Sequence, residues 1–199
     1  MDFALPADAF DVLELDPLDT VDQITAVSGA WALSSGVLRG TGAAYIYARH
    51  TREVHRPLAF VEVDVRVPAT ATGEIYGGPV GRWNGTGTTV QLQAMLARTS
   101  TVAGNPFTHL RLARGGAASQ TIALPTTIPV DTWARVGALI SHAGIVGFVN
   151  GEAIATMVEP PTSGLGHRIG LSGGAGSLGP EFRNLRILGS RLPTFVPAA

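Results

Sequence analysis

The sequence predicts an all-β chain, a two-sheet antiparallel jelly-roll sandwich of roughly a dozen strands. Composition is the first reason: 199 residues include 25 glycines and 13 prolines, with 45% hydrophobic but only 15% charged side chains. That balance suits short strands joined by turns, and no run has the pattern of a long amphipathic helix. Periodicity is the second reason, because apolar residues recur at alternate positions in segment after segment. The third is residues 131–157, where tight turns join three strands into a meander.

Residues 10–15 form a short alternating run closed by the Asp16-Pro17 turn, and residues 24–33 and 36–39 read as strands around Ser34-Ser35-Gly36. In the strand over residues 43–49, Tyr45 and Tyr47 share one face and Ile46 takes the other. Residues 58–67 are the cleanest strand: Val61, Val63, Val65 and Val67 point one way, and Glu62, Asp64 and Arg66 point to a face expected to be wet. The strand over 74–83 is interrupted by Gly77-Gly78-Pro79, and the next, 88–98, turns Val90, Leu92, Ala94 and Leu96 inward. Residues 107–113 and 120–124 pair around a glycine-rich loop. Then comes the meander: 133–140, a break at His142-Ala143-Gly144, 145–149, and 152–158. Asn150-Gly151 supplies the positive φ angles of a type I′ turn.

The chain has the size of one domain with a substantial core. We place the domain at residues 23–189, after an arm with the first strand at 1–22 and before a proline-punctuated tail at 190–199. The arm holds Asp2, Asp8, Asp11, Glu14, Asp16, Asp19 and Asp22 and no base, whereas the body carries all 14 arginines. Two readings of the arm stay open, a solvated strand edge or an acidic segment docked on the basic face of a neighbouring subunit. Every basic residue is arginine and none is lysine, which fits either bidentate interface contacts or the coding bias of a GC-rich genome.

Several function classes are disfavoured. With no cysteine there is no disulfide framework and no thiolate metal or redox site. Neither a secretory leader nor a membrane-length apolar run is visible. Scattered arginines and a net charge of −1 argue against nucleic acid. The glycine clusters at 115–116, 164–166 and 173–176 lie between strands, so they are turns and not phosphate cradles. His50, His55, His109, His142 and His167 show no metal-ligand spacing, although His50 and His55 share a loop as a candidate exposed pair. No D-x-N or D-x-D cluster supplies oxygens for calcium, and no cofactor is called for.

The order of several short motifs resembles the concanavalin-like jelly-roll superfamily of laminin-G-like modules, legume lectins and laminarinase-type glucanases. Asp8 to Phe10, then Trp31-Ala32-Leu33 and Gly36-Val37-Leu38, resemble its opening. The hairpin Gly144-Ile145-Val146-Gly147-Phe148-Val149-Asn150-Gly151 resembles its back sheet, and Gly170-Leu171 followed by Phe182-Arg183-Asn184 resembles its closing strands. Laminarinase-type enzymes carry "E-x-D-x-x-E" on a strand like 58–67, with nucleophile and acid/base about 5 to 5.5 Å apart. Glu62 and Asp64 match the first two acids, but Arg66 and Val67 stand where the last is needed, so the resemblance does not extend to glycosidase chemistry.

What the resemblance implies instead is a surface for holding partners. Arg82, Trp83 and Asn84, with Tyr76 and Tyr45, are the candidate glycan contacts, the rings stacking on sugar and the polar groups meeting hydroxyls. A core tryptophan beside a hairpin loop is the competing reading of Trp83. With its acidic arm, apolar tail and absent leader, the chain is expected to be a non-enzymatic phage virion subunit of tail, baseplate or capsid surface. Its expected partners are other virion subunits, further copies of itself and host cell-surface polysaccharide. A stand-alone carbohydrate-binding module is the alternative, and a glucanase-type hydrolase a more distant one.

Overall fold

A computed structural model describes residues 10–16, 24–41, 45–55, 58–83, 92–114, 119–141, 143–158, 166–174 and 178–190. Among these residues the chain forms strands and no helix. In order they are β1 (Phe10–Asp16), β2 (Ile24–Ser28), β3 (Ala30–Ser34), β4 (Val37–Thr41), β5 (Tyr45–Glu53), β6 (Ala59–Arg66), β7 (Ile75–Trp83) and β8 (Leu92–Arg98). They continue with β9 (Phe107–Arg114), β10 (Ser119–Ile128), β11 (Ala134–Ile140), β12 (Gly144–Val149), β13 (Glu152–Val158), β14 (Arg168–Gly174) and β15 (Glu181–Ser190).

The strands build two antiparallel sheets, the expected jelly-roll sandwich. The first runs β13-β12-β11-β6-β15-β4-β3, with β1 also on β15, and the second runs β10-β9-β8-β7-β14-β5-β2. Apolar residues at alternate positions fill the space between them. Val61, Val63 and Val65 of β6, Val136, Ala138 and Ile140 of β11, and Leu92, Ala94 and Leu96 of β8 are all fully enclosed. The valine, leucine and isoleucine side chains among them contribute roughly 1.5 to 3 kcal/mol each when removed from water, which is what holds the layers face to face.

Local sequence explains the corners. Asn150 and Gly151 adopt φ angles of 51° and 85°, so β12 folds straight back on β13 as a type I′ pair demands. The expected single strand over 24–33 is instead two strands, and Gly29 is the reason. With φ at 75°, it turns the chain from β2 in the second sheet to β3 in the first, and a Cβ there would lie 2.3 Å from Ile46 Cγ2. Part of the acidic arm is β1, whose Phe10 to Asp16 backbone pairs with β15 of its own chain.

One expectation needs correcting. The polar face of β6 is not wet: Glu62 and Asp64 are each only 7% exposed. Arginines from both neighbouring strands pair with them, Arg135 Nε with Asp64 and Arg186 Nη1 with Glu62.

Two bulges set which side chains share a face. Opposite β14, the register of β7 shifts between Val80 and Trp83, with Arg82 at φ 54°. Opposite β6, β15 shifts between Arg183 and Arg186, with Asn184 at φ 54°. An extra residue reverses alternation, so Val80 and Trp83 fall on one side of the second sheet, and Arg183 and Arg186 on one side of the first.

Candidate functional site

The outer face of the second sheet carries the strongest arrangement. Because Leu92, Ala94 and Leu96 enter the core, Gln93, Met95 and Ala97 point outward. Cross-strand register brings Tyr76 opposite Ala97, Arg111 opposite Met95, and Val80 and Ala113 opposite Gln93. Across β14, Ser172 lies between Tyr47 and Gly78, and Gly174 lies beside Tyr76. The floor of this face is therefore small, with larger polar and aromatic side chains rising around it.

Those side chains interact in ways that suit an oxygen-rich ligand. The Arg111 guanidinium lies 5.2 Å from the centroid of the Tyr76 ring, and the Tyr76 hydroxyl donates to Glu74 Oε2 at 2.9 Å. Gln93 Nε2 donates to the Tyr47 hydroxyl over 3.5 Å, and the Tyr47 ring stands 6.0 Å from that of Trp83. Gln93 Oε1 is buried and accepts no hydrogen bond among the described residues. An acceptor in that condition costs stability unless a donor reaches it.

The sequence-derived candidates are distributed unevenly over this face. Tyr76 is half-buried beside Arg111, as just described. Trp83 is fully enclosed in a cluster with Tyr47 and Val80, as the core reading of that residue has it. Arg82 is 5% exposed at the bulge, where burial lowers its guanidinium pKa and its carbonyl accepts from Gly166 N at 3.1 Å. The backbone of Tyr45 pairs with Gly174 in the row of Tyr76. Asn84 lies outside the described residues. Gln93 and Arg111 were missing from the candidate set, whereas Tyr47 was expected to share the face of Tyr45. The first two were visible as polar interruptions at outward positions of otherwise apolar strands.

The opposite side of the molecule holds Glu62 and Asp64. Arg186 Nη1 donates to Glu62 Oε1 at 3.1 Å, while Asp64 accepts from Arg135 Nε at 2.9 Å and Asn184 Nδ2 at 2.7 Å. The hydrogen bond from Arg135 to Asp64 raises the Arg135 pKa, outweighing partial burial. Arg66, at the place of the glucanase acid, donates from Nε to Glu181 Oε2 at 2.7 Å. This strand therefore presents a lattice of ion pairs. Its carboxylates are held by guanidiniums, with none placed as a free proton donor.

The histidines do not form the expected exposed pair. His50 is 1% exposed on β5, whereas the His55 ring lies 4.2 Å from that of His167 and 3.0 Å from Glu53 Oε2. No cluster of three or more His, Cys, Asp or Glu suited to a metal occurs among the described residues.

No protein family matches the chain, and no curated protein sequence matches it. Solved structures do. Carbohydrate-binding module CBM66 from Bacillus subtilis superposes with a TM-score of 0.63 at 12% identity, over 83% of this chain and 94% of that one. The exoplasmic/lumenal domain of VIP36, solved with Ca2+ and Man3GlcNAc, gives 0.60 at 13% identity, over 96% and 92%. A GlcNAcα1-4Gal-releasing endo-β-galactosidase from Clostridium perfringens gives 0.60 at 9% identity, over 94% of this chain but 65% of the enzyme. At such identities the likeness is one of fold. The chain has the lectin-like jelly-roll sandwich, a class that includes carbohydrate-binding domains and glycosidases.

Proposed function

We propose that the protein is a non-catalytic carbohydrate-binding domain whose glycan lies on the outer face of the second sheet. The observation that carries this reading is the Gln93 amide, with its carbonyl oxygen buried and unmatched between Tyr47 and the Tyr76–Arg111 pair. A sugar hydroxyl supplies the donor that Oε1 lacks, while Arg111 donates to ring or hydroxyl oxygens and the Tyr76 ring offers an apolar face. The sandwich fold shared with carbohydrate-binding neighbours supports the same reading. For the carboxylates of β6, the arginine lattice and the distance across the sandwich from this face favour binding over hydrolysis. No observation favours the virion-subunit reading specifically, and it gives way to the carbohydrate-binding one.

A glycan array followed by calorimetric titration of the retained sugars tests the proposal. Gln93→Leu fills the same space without the unmatched oxygen. It is expected to leave thermal stability unchanged or raised while weakening glycan binding by about tenfold, the worth of one hydrogen bond of about 1.4 kcal/mol. Arg111→Ala is expected to weaken it similarly. Binding that both variants leave intact would move the site elsewhere.

A further inference from the structure

We infer that the outer face of the first sheet is a second binding surface, selective for an acidic, carboxylate-bearing polysaccharide. The inference takes from the proposed function only that the protein binds glycans. It rests on the register of four adjacent strands. In one row Glu181 of β15 lies between Arg39 of β4 and Arg66 of β6. In the next, Asp64 of β6 lies between Arg183 of β15 and Arg135 of β11. In the third, Glu62 lies between Arg186 and Gly137, where the second arginine is missing. The Asn184 bulge is what keeps Arg183 and Arg186 on this face together.

Five arginines thus surround three carboxylates, an excess of two positive charges. The layering sharpens it. The acid side chains are 2–10% exposed and the arginine side chains 29–47%, so solvent meets guanidinium above and carboxylate only beneath. Donors also exceed acceptors: each guanidinium carries about five N–H groups, and each carboxylate about four lone-pair sites. Arg186 Nε is buried with no hydrogen-bond partner among the described residues.

Beside these rows lies an open hollow of about 330 Å³ lined by Ala32, Ser34, Val37, Arg39, Arg66 and Glu181. Arg39 and Arg66 both hold Glu181, which spends only part of their donor set and leaves a net positive charge at the wall. On the far side, Arg66 and Arg183 lie 4.6 and 4.2 Å from the centroid of the Trp133 ring, which stiffens both guanidiniums. Neighbouring strands are about 4.8 Å apart, so the arginines flanking each acid repeat at about 10 Å across the sheet. That surface matches an extended chain bearing carboxylates along its length, each sugar bringing hydroxyl acceptors besides its charge.

Two other polyanions fit less well. A duplex nucleic acid draws its affinity from several clustered cations, and here the excess is two. The acid-rich segment of a second copy would have to reach across, but Asp11, Glu14 and Asp16 belong to a strand already paired with β15 of their own chain.

Affinity electrophoresis of the full chain through gels holding polygalacturonate, neutral dextran or duplex DNA tests the inference. Retention is expected in polygalacturonate, falling as NaCl rises from about 50 to about 200 mM. The double variant Arg183→Gln/Arg186→Gln is expected to lose roughly threefold or more of that retention, and Arg39→Gln, at the hollow, to lose it independently. Circular dichroism verifies that each variant is folded, and with two separated sites a failure of one to fold leaves the other informative. The Gln93→Leu variant separates the two proposals: retained in polygalacturonate like the wild type, it assigns acidic binding to this face whatever becomes of the other site. The inference is overturned if the wild type migrates freely through polygalacturonate, if the arginine variants match it, or if DNA retards it more. A dimer by light scattering that the double variant abolishes would likewise assign the face to a second copy and overturn it.

Discussion

Arg98 brings a charge into a fully enclosed position at the end of β8, where burial lowers its pKa and there is no carboxylate partner among its hydrogen bonds. Its Nη2 donates to the carbonyls of Ala71 and Gly73 at 2.9 and 2.8 Å, tying down the turn between β6 and β7. Arg98→Ala strands both carbonyls and leaves a hole. The expected cost is about 3 kcal/mol, or a melting temperature lower by about 6 to 12 °C in a chain of this size. Arg98→Met, which keeps the bulk and loses only the bonds, is expected to fall between the variant and the wild type in thermal circular dichroism. At this scale the sequence is least legible. Arg98 follows the inward alternation of Leu92, Ala94 and Leu96, but nothing in that pattern says that carbonyls from another turn will meet a charge there.

Single strands were legible where alternation was regular and turn chemistry local. The valines of β6 enter the core, and the Asn150-Gly151 hairpin forms, because both follow from short-range backbone and burial preferences. The bulges at Arg82 and Asn184 were not legible, since neither residue is one that favours a bulge strongly enough to announce it, and each depends on the partner strand. Glycines give a contrast that measurement can check. At Gly151 an added methyl meets no atom within 4 Å, so Gly151→Ala pays only for φ at 85° and is expected to cost about 1 kcal/mol. At Gly29 the same methyl meets Ile46 as well as an unfavourable φ of 75°, so Gly29→Ala is expected to cost about 2 to 4 kcal/mol. Chemical denaturation curves that rank the two variants the other way would contradict the close approach at the sheet crossover.

For the whole molecule, the two outer faces divide the chemistry. The second sheet offers small floor residues, an aromatic–arginine pair and the unmatched carbonyl oxygen of Gln93, while the first offers a layered field of guanidiniums. The sandwich was legible from composition, period and turn spacing, because these are averaged over many residues. The candidate site was legible only in part. Tyr76 could be found from aromatic content, yet Gln93 and Arg111 of the consecutive strands β8 and β9 share a face with Tyr47 of the remote β5, and only register brings them together. The same holds for Glu62 and Asp64: the sequence shows that the glucanase motif is incomplete, but only register reveals that Arg135 and Arg186 hold the two carboxylates.

The pairing of β1 with β15 has a mechanical consequence. Phe10 stands opposite Ser190 at one end of the ladder, and Asp16 opposite Leu185 at the other. Tension applied through residues 10 and 190 would load these rungs one after another, as a zipper is opened, instead of all together in shear. In a single-molecule stretching experiment β1 should peel away at low force, leaving the remaining strands to rupture later in a separate event.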